Sequence, residues 1–293
     1  MNRLLIVDGH AYAYRAFHAI KELAGPEGRP TNAIYGFIKM LEKLRVNLQP
    51  SHGLVVWDGG LSPVRQALCP EYKAQRPSMP EGLAGQLDEI EAYLTAAKIA
   101  SCCLDEVEAD DIIASVAKRV AADDVAVVIA SSDKDFMQLV SARIGLINPN
   151  DKTGMVWTRE QVVAKAGVEP GQIVDWLALM GDAVDNISGV PGVGPKTAAD
   201  LLNRFGSLAG ILNHLDEVKS ERLRLLLQQS ATLLRRNVQM IQLHDVDSRL
   251  SLDQLVMTKP DVQKLKDLYQ RWGFREMMRS LTGVGTEQQV ELI

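Results

Sequence analysis

The sequence predicts an α/β protein, a mostly parallel sheet with helices on both faces, followed by a helical C-terminal part. Three observations predict it. Near-continuous apolar runs of strand length recur at Leu4–Val7, Leu54–Trp57, Ile99–Leu104 and Val125–Ala130. Segments with a helical apolar period stand between them. From Arg159 onward the pattern is helical, with short connections. Strands apolar on both sides suit a parallel sheet, because its crossover helices cover both faces.

Taken in order, Leu4-Leu5-Ile6-Val7 reads as a buried strand that ends at Asp8. Thr31 to Leu48 carries Ile34, Phe37, Ile38, Leu41 and Leu44 at helical spacing. Leu54-Val55-Val56-Trp57 is a second buried strand, ending at Asp58. Leu83 to Ala97 reads as a helix and Ile99 to Leu104 as a short strand. Glu108 to Ala121 is helical, with Ile112, Val116 and Val120 on one stripe. Val125 to Ala130 is another strand, followed at once by Ser-Ser-Asp-Lys-Asp. Gly59 to Gly82 exceeds the roughly 2–6 residues of an ordinary strand-to-helix loop, so it reads as a lid or binding loop. These elements divide the chain into an α/β core over 1–160, a helical part over 161–282 and a patternless tail over 283–293.

Composition bounds the class. Of 293 residues, 46% are hydrophobic and 24% charged, the profile of a globular protein. No apolar run approaches the about 20 residues of a membrane span. The run from Met1 to Val7 is too short for a signal-peptide core, so a cytoplasmic location and no membrane partner are expected. Cys69, Cys102 and Cys103 are odd in number and lack metal-type spacing; they read as reduced core or near-core residues. The net charge of −5 argues mildly against a nucleic-acid partner, so the distribution of charge decides the matter.

The acids are distributed unevenly. Ligands of open parallel sheets bind outside the carboxyl ends of the strands. Asp8, Asp58 and the Asp133/Asp135 pair stand at three such ends. Glu108, Asp110 and Asp111 open a helix at the same edge, more acid than a helix cap needs. Asp182 and Asp185 repeat the three-residue spacing. Nine carboxylates in one pocket would repel each other unless cations were present. Oxygen-only ligands suit Mg²⁺ or Mn²⁺. Two such ions can activate a water and stabilise both oxygens of a phosphodiester displacement.

A glycine-rich turn supplies a candidate nucleic-acid contact. Gly189-Val-Pro-Gly-Val-Gly-Pro-Lys-Thr-Ala-Ala-Asp-Leu-Leu202 reads as a helix-hairpin-helix element, placed at about 187–202. Its amides and the start of the next helix can point at a phosphate, with Lys196 beside them. Between Pro195 and Met240 seven basic residues face four acidic ones, consistent with binding duplex phosphates.

Several runs together resemble the 5′-nuclease (flap endonuclease) domain at the N-terminus of bacterial DNA polymerase I. They are Val7-Asp-Gly, Tyr14-Arg-Ala-Phe-His-Ala19, Pro30-Thr-Asn-Ala-Ile-Tyr-Gly-Phe37, Glu71-Tyr-Lys-Ala-Gln-Arg-Pro77, Glu108-Ala-Asp-Asp111, Asp133-Lys-Asp135 and Gln138-Leu-Val140. Leu177-Ala-Leu-Met-Gly-Asp-Ala-Val-Asp-Asn186, running into Gly192-Val-Gly-Pro-Lys-Thr-Ala-Ala199, is the longest. The resemblance covers about residues 3 to 282. It implies a PIN-like sheet and hydrolysis of DNA as 5′-3′ exonuclease and flap endonuclease. It implies metal ligation by Asp8, Asp58, Glu108, Asp110, Asp111, Asp133, Asp135, Asp182 and Asp185, the last four serving the second ion. Catalytic roles are implied for Asp8, Asp111, Lys73 and Arg76. The cofactors implied are two Mg²⁺, replaceable by Mn²⁺, and a monovalent cation such as K⁺ at the hairpin turn.

The same resemblance makes 59–82 a helical arch for a 5′ single strand. Lys73 and Arg76 would touch the scissile phosphate, Tyr72 would stack on a base and Arg15 would steer substrate. Gly192, Gly194, Lys196 and Thr197 would hold duplex backbone. The expected partner is DNA with a 5′ flap or a 5′ end next to duplex, bound by a monomer that works with a polymerase and a ligase. The chain departs from the family at His10-Ala11, where small hydroxyl residues are usual. It departs again at Gly59, where a lysine is common, and at Ser132 and Ser188, which replace a usual glycine and proline. Two rival readings are a DNA-binding member with weak catalysis, whose sign would be lost acids, and an RNA-directed PIN-type ribonuclease, which needs neither arch nor hairpin.

Overall fold

A computed structural model describes residues 2–151 and 153–281. The expected tail, 283–293, lies outside the described residues. Five parallel strands form the sheet: β1 (Arg3–Asp8), β2 (His52–Trp57), β3 (Ala100–Cys103), β4 (Ala126–Ala130) and β5 (Ile144–Ile147), in the order β3-β2-β1-β4-β5. Chain order thus reverses direction beside β1, which pairs with β2 on one side and β4 on the other. That is the position where an α/β sheet opens a crevice at its carboxyl edge.

Side chains alternate across each strand, so each strand feeds two cores. On one face Leu4, Ile6, Leu54, Val56, Val127 and Ile129 pack with Ile112, Ile113 and Val116 of a helix. On the other, Leu5, Val7, Val55, Trp57 and Val128 pack with α1, α2 and α4. These helices are α1 (Gly9–Ala19), α2 (Asn32–Leu48), α3 (Pro63–Leu68), α4 (Glu81–Ala97) and α5 (Ala109–Ala122). The sheet with helices on both faces is therefore as the sequence predicts. Two of its elements are additions: the edge strand β5 and the helix α1.

The helical part comprises α6 (Arg159–Ala166), α7 (Ile173–Met180), a two-residue-strand hairpin of β6 (Gly181–Asp182) and β7 (Ile187–Ser188), α8 (Pro195–Phe205), α9 (Leu208–Asn213), α10 (Glu221–Gln229) and α11 (Ala231–Ile241). Leu177, Leu202 and Leu234 join the same core as α5. The last two helices, α12 (Val262–Trp272) and α13 (Arg275–Leu281), do not stay with this part as expected. Leu265, Tyr269, Trp272 and Met277 return to the opposite face of the sheet, where they cover α2 and α4. Their apolar stripe is buried there, against α2, α4 and the second face of the sheet.

Two smaller expectations also change. Segment 59–82 is no open arch: Ser62 caps α3 through the Arg65 amide, Pro63 occupies its first turn, and tight turns follow to residue 76. Cys69 and Cys102 are buried, but Cys103 is exposed, because β3 is an edge strand. No helix among the described residues is long and apolar enough to cross a membrane.

Candidate active site

A cavity of about 1140 Å³ opens at the carboxyl edge of the sheet. Asp8, Asp58, Asp110, Asp133, Asp182 and Asp185 line it, with Arg15, Arg76 and Lys134. The acids arrive by several structural routes. Asp8 ends β1 and caps α1, its Oδ1 accepting from the Ala11 amide at 3.0 Å. Asp58 follows β2 and accepts from the Ala109 amide at 3.0 Å, tying strand end to the start of α5. Gly59 next to it is required by close approach, since a Cβ there would stand 1.8 Å from the Leu104 carbonyl oxygen. Asp133 follows β4 and accepts from the Asp135 amide at 2.9 Å. The β6–β7 hairpin brings Asp182 and Asp185 to the same wall.

Ser131 links two of these routes. Its hydroxyl donates to Asp8 Oδ2 at 2.8 Å and accepts from the Asp133 amide at 3.1 Å. Basic groups pair with the far acids: Lys134 lies 3.1 Å from Asp182 and Arg76 lies 2.6 Å from Asp185. Arg15 donates to Asn150 at the rim. His10 also lines the cavity, accepting the Asp58 amide at Nδ1 (3.1 Å) with its ring edge-on to Trp57. Lys134 and Ser131 were not singled out from the sequence, although Lys134 stands inside the Asp-Lys-Asp run that was.

Electrostatics mark this wall as one charged site. Burial raises the Asp8 carboxyl to about 6, helped by the charges of Asp133 and Asp58 and opposed by its hydrogen bonds. Burial and then the Asp133 charge hold Asp110 well above the ordinary carboxylate range. Asp133 is raised by burial, with Asp185 and Asp182 adding to it. Asp135 is raised by burial and by Asp133, Asp185 and Asp182, and its Oδ1 is buried with no hydrogen-bond partner. Carboxylates that resist ionisation along this wall, with an orphaned carboxylate oxygen on Asp135 next to Asp133, fit a hard divalent cation. No three or more His, Cys, Asp or Glu side chains among the described residues are arranged to hold such an ion by themselves.

Three of the nine expected ligands do not line the cavity: Asp135, which is buried behind Asp133, and Glu108 and Asp111, which point elsewhere. Glu108 and Asp111 share a face of α5 as their spacing predicts, but that face meets Arg65, not the cavity. Arg65 Nη1 is 2.6 Å from both Glu108 Oε2 and Asp111 Oδ2, and its Nη2 is 2.9 Å from Asp111 Oδ1. Lys73 completes the cluster, 3.1 Å from Glu108 and only 6% exposed. Tyr72 is 4% exposed, its hydroxyl donating to Glu108 at 3.2 Å, so it presents no face for a base. The segment is held down because its charges find buried partners. Of the four residues expected at the arch and rim, Arg15 and Arg76 reach the cavity, whereas Tyr72 and Lys73 do not.

The hairpin element is open to solvent. Gly192 has φ of +80°, and a Cβ at Gly192 or Gly194 would meet nothing within 4 Å. Gly194 caps α8 without a side-chain bond, and Lys196 is exposed while Thr197 is half-buried in its first turn. These residues lie outside the cavity, on a separate surface.

The chain is similar to known proteins over nearly its whole length. A family model described as 5′-3′ exonuclease, N-terminal resolvase-like domain, matches residues 3–167. A second, 5′-3′ exonuclease, C-terminal SAM fold, matches 168–263. A 5′-3′ exonuclease of Aquifex aeolicus is 38% identical over 96% of both chains. The flap endonuclease Xni of Shewanella pealeana is 37% identical over 89% of this chain and 99% of its own. The chain spans 33% of the length of a DNA polymerase I from Bacillus caldotenax, at 36% identity. Among solved structures, a T5 5′-exonuclease with divalent metal ions (zinc) bound shares the fold at 24% identity. Its TM-score is 0.69, over 92% of this chain and 99% of that one.

Proposed function

The chain belongs to the 5′-3′ exonuclease family, and we propose on that footing that it hydrolyses DNA phosphodiesters at 5′ ends and 5′ flaps with the help of two divalent ions. The observation that carries this reading is one cavity walled by six aspartates, brought together from three strand ends, the start of α5 and the β6–β7 hairpin, in a chain matched by both family models. In this reading Asp8, Asp58 and Asp110 hold the ion nearer the attacked phosphate, and Asp133, Asp135, Asp182 and Asp185 serve the second. Mg²⁺ is the ion proposed, with Mn²⁺ able to replace it. When bound, the ions lower the pKa of a water and offset charge on the phosphodiester oxygens. The chain's own groups do the rest. Ser131 orients Asp8 and Asp133 together. Arg76 and Lys134 offset the far acids until a cation replaces them. Arg15 at the rim offers positive charge to the entering strand.

The exposed Gly192–Thr197 turn would grip duplex backbone, since amides at a helix start bind phosphate without reading sequence. A K⁺ ion at this turn belongs to the same proposal, as do action as a monomer in the cytoplasm and cooperation with a polymerase and ligase. The experiment is cleavage of a 5′-flap DNA with and without Mg²⁺. Metal-dependent cleavage is expected from the native chain, and its loss in an Asp133→Ala/Asp135→Ala double variant. A native chain that cuts nothing with metal, or a fully active double variant, would remove the mechanism.

A further inference from the structure

We propose that Arg65 is a positioning residue for the metal site, turning Asp110 toward the cavity by clamping its neighbours Glu108 and Asp111 on the far side of the helix. The inference rests on the nuclease reading above. Arg65 is 2% exposed, and every guanidinium N–H is used. Nη1 donates to Glu108 and Asp111, Nη2 to Asp111 and to the Gln242 carbonyl at 3.1 Å, and Nε to the Met240 carbonyl at 2.9 Å. The fork thus joins three segments: α3, the first turn of α5, and the strand of chain leaving α11. The His244 amide closes the ring by donating to Asp111 Oδ1 at 2.8 Å.

The consequence for Asp110 is geometric. Glu108 and Asp111 stand three apart on one side of the first turn of α5, and Asp110 falls between them in sequence on another side. With both flanking carboxylates fixed to Arg65, that turn cannot rotate, and Asp110 is held in the cavity wall. Lysine offers one compact charge and cannot make the two-pronged contact or reach both carbonyls. Neither Glu108 nor Asp111 lines the cavity, and both carboxylates are held by Arg65.

The test uses the full chain with Arg65→Lys, Asp111→Asn and Asp110→Asn. Mn²⁺ titration without DNA reads the site directly, and circular dichroism reads the fold. Arg65→Lys should stay folded yet lose about 10–100-fold in Mn²⁺ affinity, the usual effect of removing an outer partner of a metal ligand. Its kcat on flap DNA should fall while KM for DNA holds, because the DNA-gripping surfaces are untouched. A folded Arg65→Lys with native Mn²⁺ affinity and kcat would overturn the proposal. If Arg65→Lys does not fold, the asparagine pair decides. Asp111→Asn should lose clearly less Mn²⁺ affinity than Asp110→Asn, and equal losses would overturn the proposal. A native chain that binds Mn²⁺ but cuts no DNA would instead remove the nuclease reading, leaving the clamp to be judged by the Mn²⁺ titrations.

Discussion

Asp8 meets two opposed demands, and its titration shows the conflict. Its ordinary pKa is 3.8, and the folded protein holds it at about 6. Below pH 3.8 the carboxyl is protonated whether folded or not, and costs nothing. Between the two values the unfolded chain gives up its proton first. Above pH 6 the fold carries the whole cost, of order 3 kcal/mol for this one group. Asp110, Asp133 and Asp135 shift the same way. Without divalent metal, stability therefore falls as pH rises through this window. Bound cations remove that cost, so Mn²⁺ should raise Tm more at about pH 8 than at about pH 5. Thermal unfolding with and without Mn²⁺ checks this, and an equal metal shift at both pH values would count against it. The cavity aspartates were legible because strand ends and paired spacings announce themselves in a sequence. Glu108 and Asp111 were legible only in part. Their spacing shows that they share a face but not what that face meets, and Arg65, the residue they meet, is 43 positions from Glu108.

At the scale of elements, the same limit explains what was missed. Helix α1 buries Gly9, Tyr12, Ala13 and Ala16, a helical stripe made mostly of glycine and alanine, which carries little apolar signal. Strand β5 is four residues long and contains Gly145. Helix α3 carried a readable sign, serine followed by proline at a helix start, inside a segment that otherwise read as loop. The glycine turn before α8 was legible as a motif, and the structure makes its purpose testable. Gly194 has φ of −101°, so alanine fits its backbone, and the added Cβ meets nothing in the protein. Gly194→Ala should therefore keep the native Tm. If phosphate approaches this turn closely, the same methyl should weaken duplex binding for all sequences alike. Native Tm with native affinity would mean that no backbone comes close at Gly194, and the turn would then be a connection between α7 and α8 only.

The whole molecule is tied together by its last helices and by its shared cores. The core beneath α5 includes side chains from both the sheet and the helical part, so neither can lose its packing alone. Helices α12 and α13 close the other face of the sheet, and Trp272 is their anchor. It is 4% exposed, its ring lies 6.3 Å from Tyr269 and 5.5 Å from Phe274, and its Nε1 donates to Glu89 at 3.0 Å. Deleting a buried tryptophan ring removes apolar contact and leaves a cavity, which together cost about 3–5 kcal/mol. Trp272 does not line the cavity. Trp272→Ala should therefore lower Tm by several degrees while flap cleavage, measured well below the transition, keeps its native kcat. Because the two cores meet across one sheet, far-ultraviolet dichroism and tryptophan fluorescence should report one shared transition in the native chain and in the variant. Two separate transitions, with the sheet melting first, would show that the helical part holds a core of its own, and the cooperativity argued from the shared packing of α5 would fail.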